Sequence, residues 1–96
     1  MVTPGFQEIN KERIAELRFP MSEVLSAKDQ ILARQTDLER ALSLGNLEHN
    51  KIRIYFEDEE SCKMVETTVW GVTDNRVILK QGVVIPISRI HSVQLQ

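Results

Sequence analysis

The hydrophobic pattern of this chain changes its period near the middle. Between residues 27 and 44 apolar side chains recur every three or four positions, whereas beyond residue 50 they alternate with polar ones. The first spacing is that of an amphipathic helix and the second that of half-buried strands. We therefore predict an α+β chain, with an N-terminal helical arm over residues 1–45 and a small antiparallel β-barrel over residues 46–96, folding as one cooperative domain.

The arm is predicted to hold one clear helix and a shorter one before it. Residues 27–44 follow Ser26, which with the acid three positions later resembles a capping box, and they precede Gly45 in a C-cap position. Residues 7–18 carry only a thin apolar stripe, and we expect a short helix there. The main helix should pack through an apolar seam, which includes Ile31, Leu38 and Leu42. The opposite, exposed side should carry Arg34, Asp37 and Arg40.

The second half is predicted to form five short strands joined by tight turns. These strands cover residues 51–56, 63–73, 76–80, 83–87 and 90–95. The second strand changes its apolar parity at Gly71, which indicates a bend or bulge that lets one strand serve both sides of a barrel. Pro86 has no N–H to donate, so the fourth strand should have a free side or an irregularity. An open sheet with the helix packed across it is the alternative.

Composition narrows the classes of function. The net charge is −2, and each half carries six Lys and Arg against seven Asp and Glu, a balance that disfavours tight nonspecific nucleic-acid binding. The single cysteine excludes an internal disulfide, and with one cysteine we expect no cysteine-based zinc site. No signal peptide or bilayer-spanning apolar run is visible, so we expect a cytoplasmic chain with no membrane partner.

Catalytic and metal-binding motifs are not found. His49 and His91 lie in different predicted elements with no cysteine nearby in sequence, so we expect no metal and no cofactor. Acidic neighbours disfavour a thiolate at Cys62, and the acidic run at residues 57–60 is expected to be a solvated turn. A barrel this small is filled by its own side chains. We therefore predict no catalytic residues, no small-molecule substrate and no enzyme activity.

The first predicted strand offers the best candidate surface, because its outer face interleaves charge with an aromatic ring. Such a face is either the wet side of a half-buried strand or a platform that pairs phosphates and stacks bases. Arg76, Lys80 and Arg89 could extend this face if they lie on the same side. Trp70 either packs at the barrel rim or anchors a partner. The candidate partner-binding residues are Lys51, Arg53, Tyr55, Trp70, Arg76 and Lys80.

Two segments resemble known families. Residues 70–79, WGVTDNRVIL, resemble the strand-turn-strand of Sm-like proteins, and residues 79–86, LKQGVVIP, are similar to the second Sm motif and its bacterial RNA-chaperone variant. This resemblance implies a five-stranded SH3/Sm-like barrel, ring-like oligomers and RNA binding. Residues 72–90 also resemble part of a bacterial pleckstrin-homology-like domain, and the whole sequence resembles short bacterial proteins of unknown function.

From these observations we expect a non-enzymatic interaction module that binds a protein or associates with itself. The helix seam and the free edge implied by Pro86 motivate this hypothesis, because such surfaces are normally covered. The alternative is an Sm-like RNA-binding protein, which the even charge balance places second.

Overall fold

The computed structural model describes residues 5–48 and 50–95, with residues 46–48 described by their backbone alone. The fold is mixed α+β, with one long helix, seven short strands and three 3₁₀ turns in the described chain. The helix is α1 (Lys28–Glu48), and the 3₁₀ turns are Lys11–Glu16, Lys80–Gly82 and Ile87–Arg89. The strands are β1 (Phe6–Glu8), β2 (Ile52–Glu57), β3 (Cys62–Thr67), β4 (Val69–Val72), β5 (Arg76–Leu79), β6 (Val84–Pro86) and β7 (Ile90–Gln94).

The strands form two sheets rather than one closed barrel. The larger sheet has the order β1-β3-β2-β7, in which β1 runs parallel to β3 and the other pairs are antiparallel. The smaller, antiparallel sheet has the order β4-β5-β6. No strand pairing joins the two sheets among the described residues, so the predicted five-stranded closed barrel differs from the structure in both strand count and closure.

The difference in strand count has two sources. The predicted strand 63–73 is divided at Thr68, so that β3 belongs to the larger sheet and β4 to the smaller one. The bulge expected near Gly71 is present, because the register between β4 and β5 shifts between Val69 and Gly71. Strand β1 was not predicted at all. It is held by long-range pairing, in which Phe6 lies opposite Cys62, and a three-residue strand carries no periodic signal of its own.

The predicted short helix at residues 7–18 is wrong. Its first part is β1, and only Lys11–Glu16 coil, as a 3₁₀ turn. The N–H of Ile9 donates to the carbonyl of Met64, so strand pairing satisfies backbone groups that a helix would otherwise need. The apolar stripe is nevertheless used, since Ile14 is buried in the core.

The main helix begins where expected but runs through its predicted cap. Gly45 lies inside α1 and is buried against the start of β4. A Cβ atom at this position would collide with the carbonyl oxygen of Val69 and would lie 3.1 Å from Cγ2 of Thr68. Glycine is therefore required for close approach of helix and strand, and not for a left-handed cap.

The predicted exposed face of α1 is wrong at Arg34. This residue lies three positions after Ile31 and four before Leu38, and it is buried as Leu38 is, whereas Ile31 is partly buried. Its guanidinium donates to both carboxylate oxygens of Glu23 at 2.7 Å and to the carbonyl of Ile90 at 2.9 Å. The helix thus covers the outer edge of β7 with a buried cation. Of its apolar seam, Leu38 is buried in the core, and Ile31 and Leu42 are partly buried.

The hydrophobic core lies between the two sheets and α1. Every strand from β2 to β7 contributes buried apolar residues to it, which alternate along β2, together with Leu38 and Ala41 of the helix and Ile14 of the first 3₁₀ turn. Strand β6 is an edge strand, as Pro86 predicts. Within the described residues, no helix is both long and apolar enough to cross a bilayer.

Candidate functional site

The six predicted partner-binding residues fall on two different sheets. Three of them belong to β2 or its approach, on the larger sheet. Arg53 lies 3.4 Å from a carboxylate oxygen of Glu66, and the Tyr55 hydroxyl donates to Oε1 of Gln94 at 3.0 Å. Lys51 is exposed just before the strand begins. The outer face of β2 is therefore largely engaged by its own neighbours.

Arg89 does not extend this face, because it is buried. Its Nε donates to the carbonyl of Glu57 at 3.0 Å, and its Nη1 donates to the carbonyl of Ser22 at 2.8 Å. These bonds join the β2–β3 turn to the segment before α1. Arg89 is thus a structural residue, and the hypothesis that it extends the outer face of β2 is wrong.

The acidic run is also more ordered than a solvated turn. Asp58 is buried and accepts hydrogen bonds from Nζ of Lys63 at 2.8 Å and from the backbone N–H groups of Glu60 and Ser61. Burial raises the pKa of Asp58, but these bonds outweigh it and hold the pKa below its ordinary value. Only Glu59 and Glu60 behave as the expected exposed acids.

The other three predicted residues share the outer face of the smaller sheet. Trp70 is the bulged residue of β4 and is 52% exposed. Exposed Arg76 begins β5 and exposed Lys80 follows its last residue, with Ile78 between them in the sequence. None of the ion pairs in the described chain involves either cation. Ile78 pairs directly with Val84 of β6, on the side opposite the core. We call this face the Trp70 surface; it comprises Trp70, Arg76, Ile78, Lys80 and Val84.

A groove separates α1 from the outer face of the larger sheet. It encloses about 360 Å³ and is lined on the sheet side by Phe6, Tyr55 and His91. The ring of Phe6 packs edge-on against Tyr55 and His91, with centroid distances of 5.3 and 5.5 Å. Sequence reasoning missed Phe6 because its position depends on the parallel pairing of β1.

Three side chains with metal-binding potential meet beside this groove. They are Glu57 at the end of β2, Cys62 at the start of β3 and His91 on β7, and their donor atoms all lie within 4.8 Å of one another. We call them the Glu57 cluster. The sequence did not predict that Cys62 and His91 meet, because they are far apart in the chain and Cys62 falls between two predicted strands. His49 lies outside the described residues.

Hydrogen bonds organise the Glu57 cluster. Oε1 of Glu57 lies 2.9 Å from Nε2 of His91 and 3.6 Å from Sγ of Cys62, while Oε2 lies 3.7 Å from the Arg89 guanidinium. The bond with His91 is the main reason that the pKa of Glu57 is lowered. Burial, followed by the charge of Glu57, raises the pKa of the Cys62 thiol.

Comparison of the chain with known protein families, with curated proteins and with solved structures finds no match. Its function therefore has to be inferred from its own residues.

Proposed function

We propose that this chain is a non-enzymatic interaction module that binds a partner protein through the Trp70 surface. The observation that carries the proposal is the half-exposed side chain of Trp70 on the outer face of a sheet. Tryptophan is highly buried on average in folded proteins, and it is enriched among residues that dominate binding energy. Its neighbours Ile78 and Val84 are half-buried and extend the apolar centre.

Charge on the Trp70 surface defines the partner. Arg76 is exposed at the start of β5 and Lys80 in the turn that follows the strand, with apolar Ile78 between them in the sequence. Two copies stacked through this surface would bring cation against cation, which is unfavourable. The surface instead suits a segment with an apolar side chain flanked by aspartate or glutamate. The helix seam no longer motivates self-association, since Leu38 is fully buried inside the domain.

RNA binding is the second candidate, and the same surface favours it. An exposed aromatic ring on a sheet that also carries exposed cations can stack a base and contact phosphates, and Arg76 and Lys80 take part in none of the ion pairs of the described residues. Pairing of β7 with β2 and continuity of β3 with β4 support an SH3/Sm-like relation for the β half. RNA stays second because the net charge is −2 and Arg53 and Arg89 are both engaged internally. The sequence is also the sole basis for the proposal that this protein is cytoplasmic and bacterial.

The single tryptophan makes this proposal directly measurable. The full chain would be titrated with a peptide carrying one leucine flanked by glutamates and, separately, with a single-stranded oligoribonucleotide. Docking of the peptide should shift Trp70 emission to shorter wavelength, whereas base stacking should quench it. Calorimetry should show weaker peptide binding for Trp70→Ser and Lys80→Gln.

The matched control is Arg53→Gln, which removes a cation from the other sheet and should leave binding unchanged. Quenching by RNA with no peptide response would favour the second candidate. Sedimentation over a range of concentrations tests self-association. An unchanged Trp70 emission in both titrations, together with a monomer at every concentration, would refute the Trp70 surface as a binding site.

A further inference from the structure

We propose that Glu57, Cys62 and His91 form a binding site for one zinc-type divalent ion. The three residue types are those that zinc uses: a carboxylate oxygen, a thiolate sulfur and an imidazole nitrogen. One hard oxygen among softer donors favours a transition metal over magnesium or calcium. This inference does not depend on the proposed function, because it concerns the other sheet.

The two distances from Oε1 of Glu57 are close to those around a tetrahedral ion, and all three donor atoms lie within 4.8 Å of one another. Bond lengths of about 2.0–2.3 Å place the ligands of a tetrahedral zinc ion about 3.3–3.6 Å apart. The distance from Sγ of Cys62 to Oε1 of Glu57 is 3.6 Å, and that from Nε2 of His91 to the same oxygen is 2.9 Å. The second pair has only to open by a few tenths of an ångström, within the freedom of two half-exposed side chains.

The backbone brings the three ligands together in a specific way. Glu57 and Cys62 are opposite each other at the turn end of the β2–β3 hairpin. On the other side of β2, Tyr55 pairs with Ser92 but Phe56 pairs with Ile90, so His91 is the extra residue of a bulge. A bulge redirects the side chain of its extra residue, and here the redirected imidazole reaches Glu57. An ion at this point would tie β2, β3 and β7 together.

Neighbouring groups complete the site. Arg89 holds Oε2 of Glu57, which leaves Oε1 directed at His91 and Cys62. Such outer contacts orient metal ligands in proteins. The nearby cation Lys63 is already neutralised by Asp58 at 2.8 Å. Phe6 packs edge-on against the His91 ring and gives the site an apolar wall. Three protein ligands leave a fourth coordination position for water or another ligand.

The test uses the untagged, reduced full chain and cobalt(II) as a spectroscopic probe. We expect one Co²⁺ per chain, a thiolate-to-cobalt charge-transfer band in the near ultraviolet, and loss of that band on addition of one equivalent of Zn²⁺. Cys62→Ser should lose the band. His91→Gln and Glu57→Gln should weaken Zn²⁺ binding at least about tenfold, since even outer-shell changes reach that size.

The matched control is Glu60→Gln, an exposed acid of the same turn that should bind as the unmodified chain does. Circular dichroism in the presence of a chelator shows whether each variant is folded. If Cys62→Ser does not fold, His91→Gln and Glu57→Gln still test the site. Absence of the thiolate band, or Zn²⁺ affinity that all three substitutions leave unchanged, would overturn the proposal.

Discussion

Replacement of Gly45 by alanine should destabilise this protein, although the same change stabilises most helices. Alanine is favoured over glycine inside a helix by about 1 kcal/mol. At Gly45, however, the added methyl group would collide with the Val69 carbonyl and would lie 3.1 Å from Cγ2 of Thr68. The oxygen belongs to the backbone of a paired strand, so relief requires the helix and β4 to separate.

The magnitude follows from these two opposing terms. Overpacking that forces a backbone shift costs about 1–3 kcal/mol, and the upper part of that range applies where the obstacle is backbone. After the gain of about 1 kcal/mol in helix propensity, a net loss of about 2 kcal/mol remains. For a domain of this size, that loss should lower the melting temperature by about 8–16 °C.

Thermal and urea denaturation followed by circular dichroism would measure the effect. Ser43→Ala, at an exposed position of the same helix turn, is the matched control and should gain about 0.5 kcal/mol or less. Gly45→Asn separates close packing from a left-handed cap. A cap tolerates asparagine better than alanine, whereas close packing rejects the larger side chain more strongly. Stabilisation by Gly45→Ala, or greater stability of Gly45→Asn than of Gly45→Ala, would refute the reasoning.

Two further predictions concern the buried ion pairs. Glu23→Gln should cost about 1–3 kcal/mol, because Arg34 keeps its charge in a buried site, and the lower part of the range is expected since Glu23 is 34% exposed. The hydrogen bond from Arg34 lowers the pKa of Glu23. The stabilisation that the ionised Glu23 provides is therefore complete above the ordinary glutamate pKa and is lost as the pH falls through the lowered pKa. In urea titrations between pH 7 and pH 2, the free energy of unfolding of the variant should fall less steeply with decreasing pH than that of the unmodified chain. Asp58→Asn should cost about 3–5 kcal/mol by stranding Lys63, whereas the double variant Asp58→Asn, Lys63→Met should recover part of that loss in a double-mutant cycle. Full additivity of the two single changes would contradict the pairing.

Much of the secondary structure was predictable because it depends on local periodicity. The helix at residues 27–44, the alternation that became β2, and the bulge before Gly71 all follow from spacing within a few residues. Exposure of Trp70 remained undecided from sequence, since a bulge can turn its residue either way. Grouping of Trp70 with Arg76 and Lys80 required the pairing of β4 with β5.

The sequence by itself determined an α+β chain with a helical first half, a strand-rich second half and no recognisable catalytic motif. Tertiary structure alone decided that Gly45 allows close packing, that Arg34 and Arg89 are buried, and that β1 exists. It also decided that Cys62 and His91 meet at Glu57, although 28 positions separate them in the sequence. The physical reason is that hydrophobic periodicity records burial within one element, whereas a site assembled from three strands depends on register and on a single bulge.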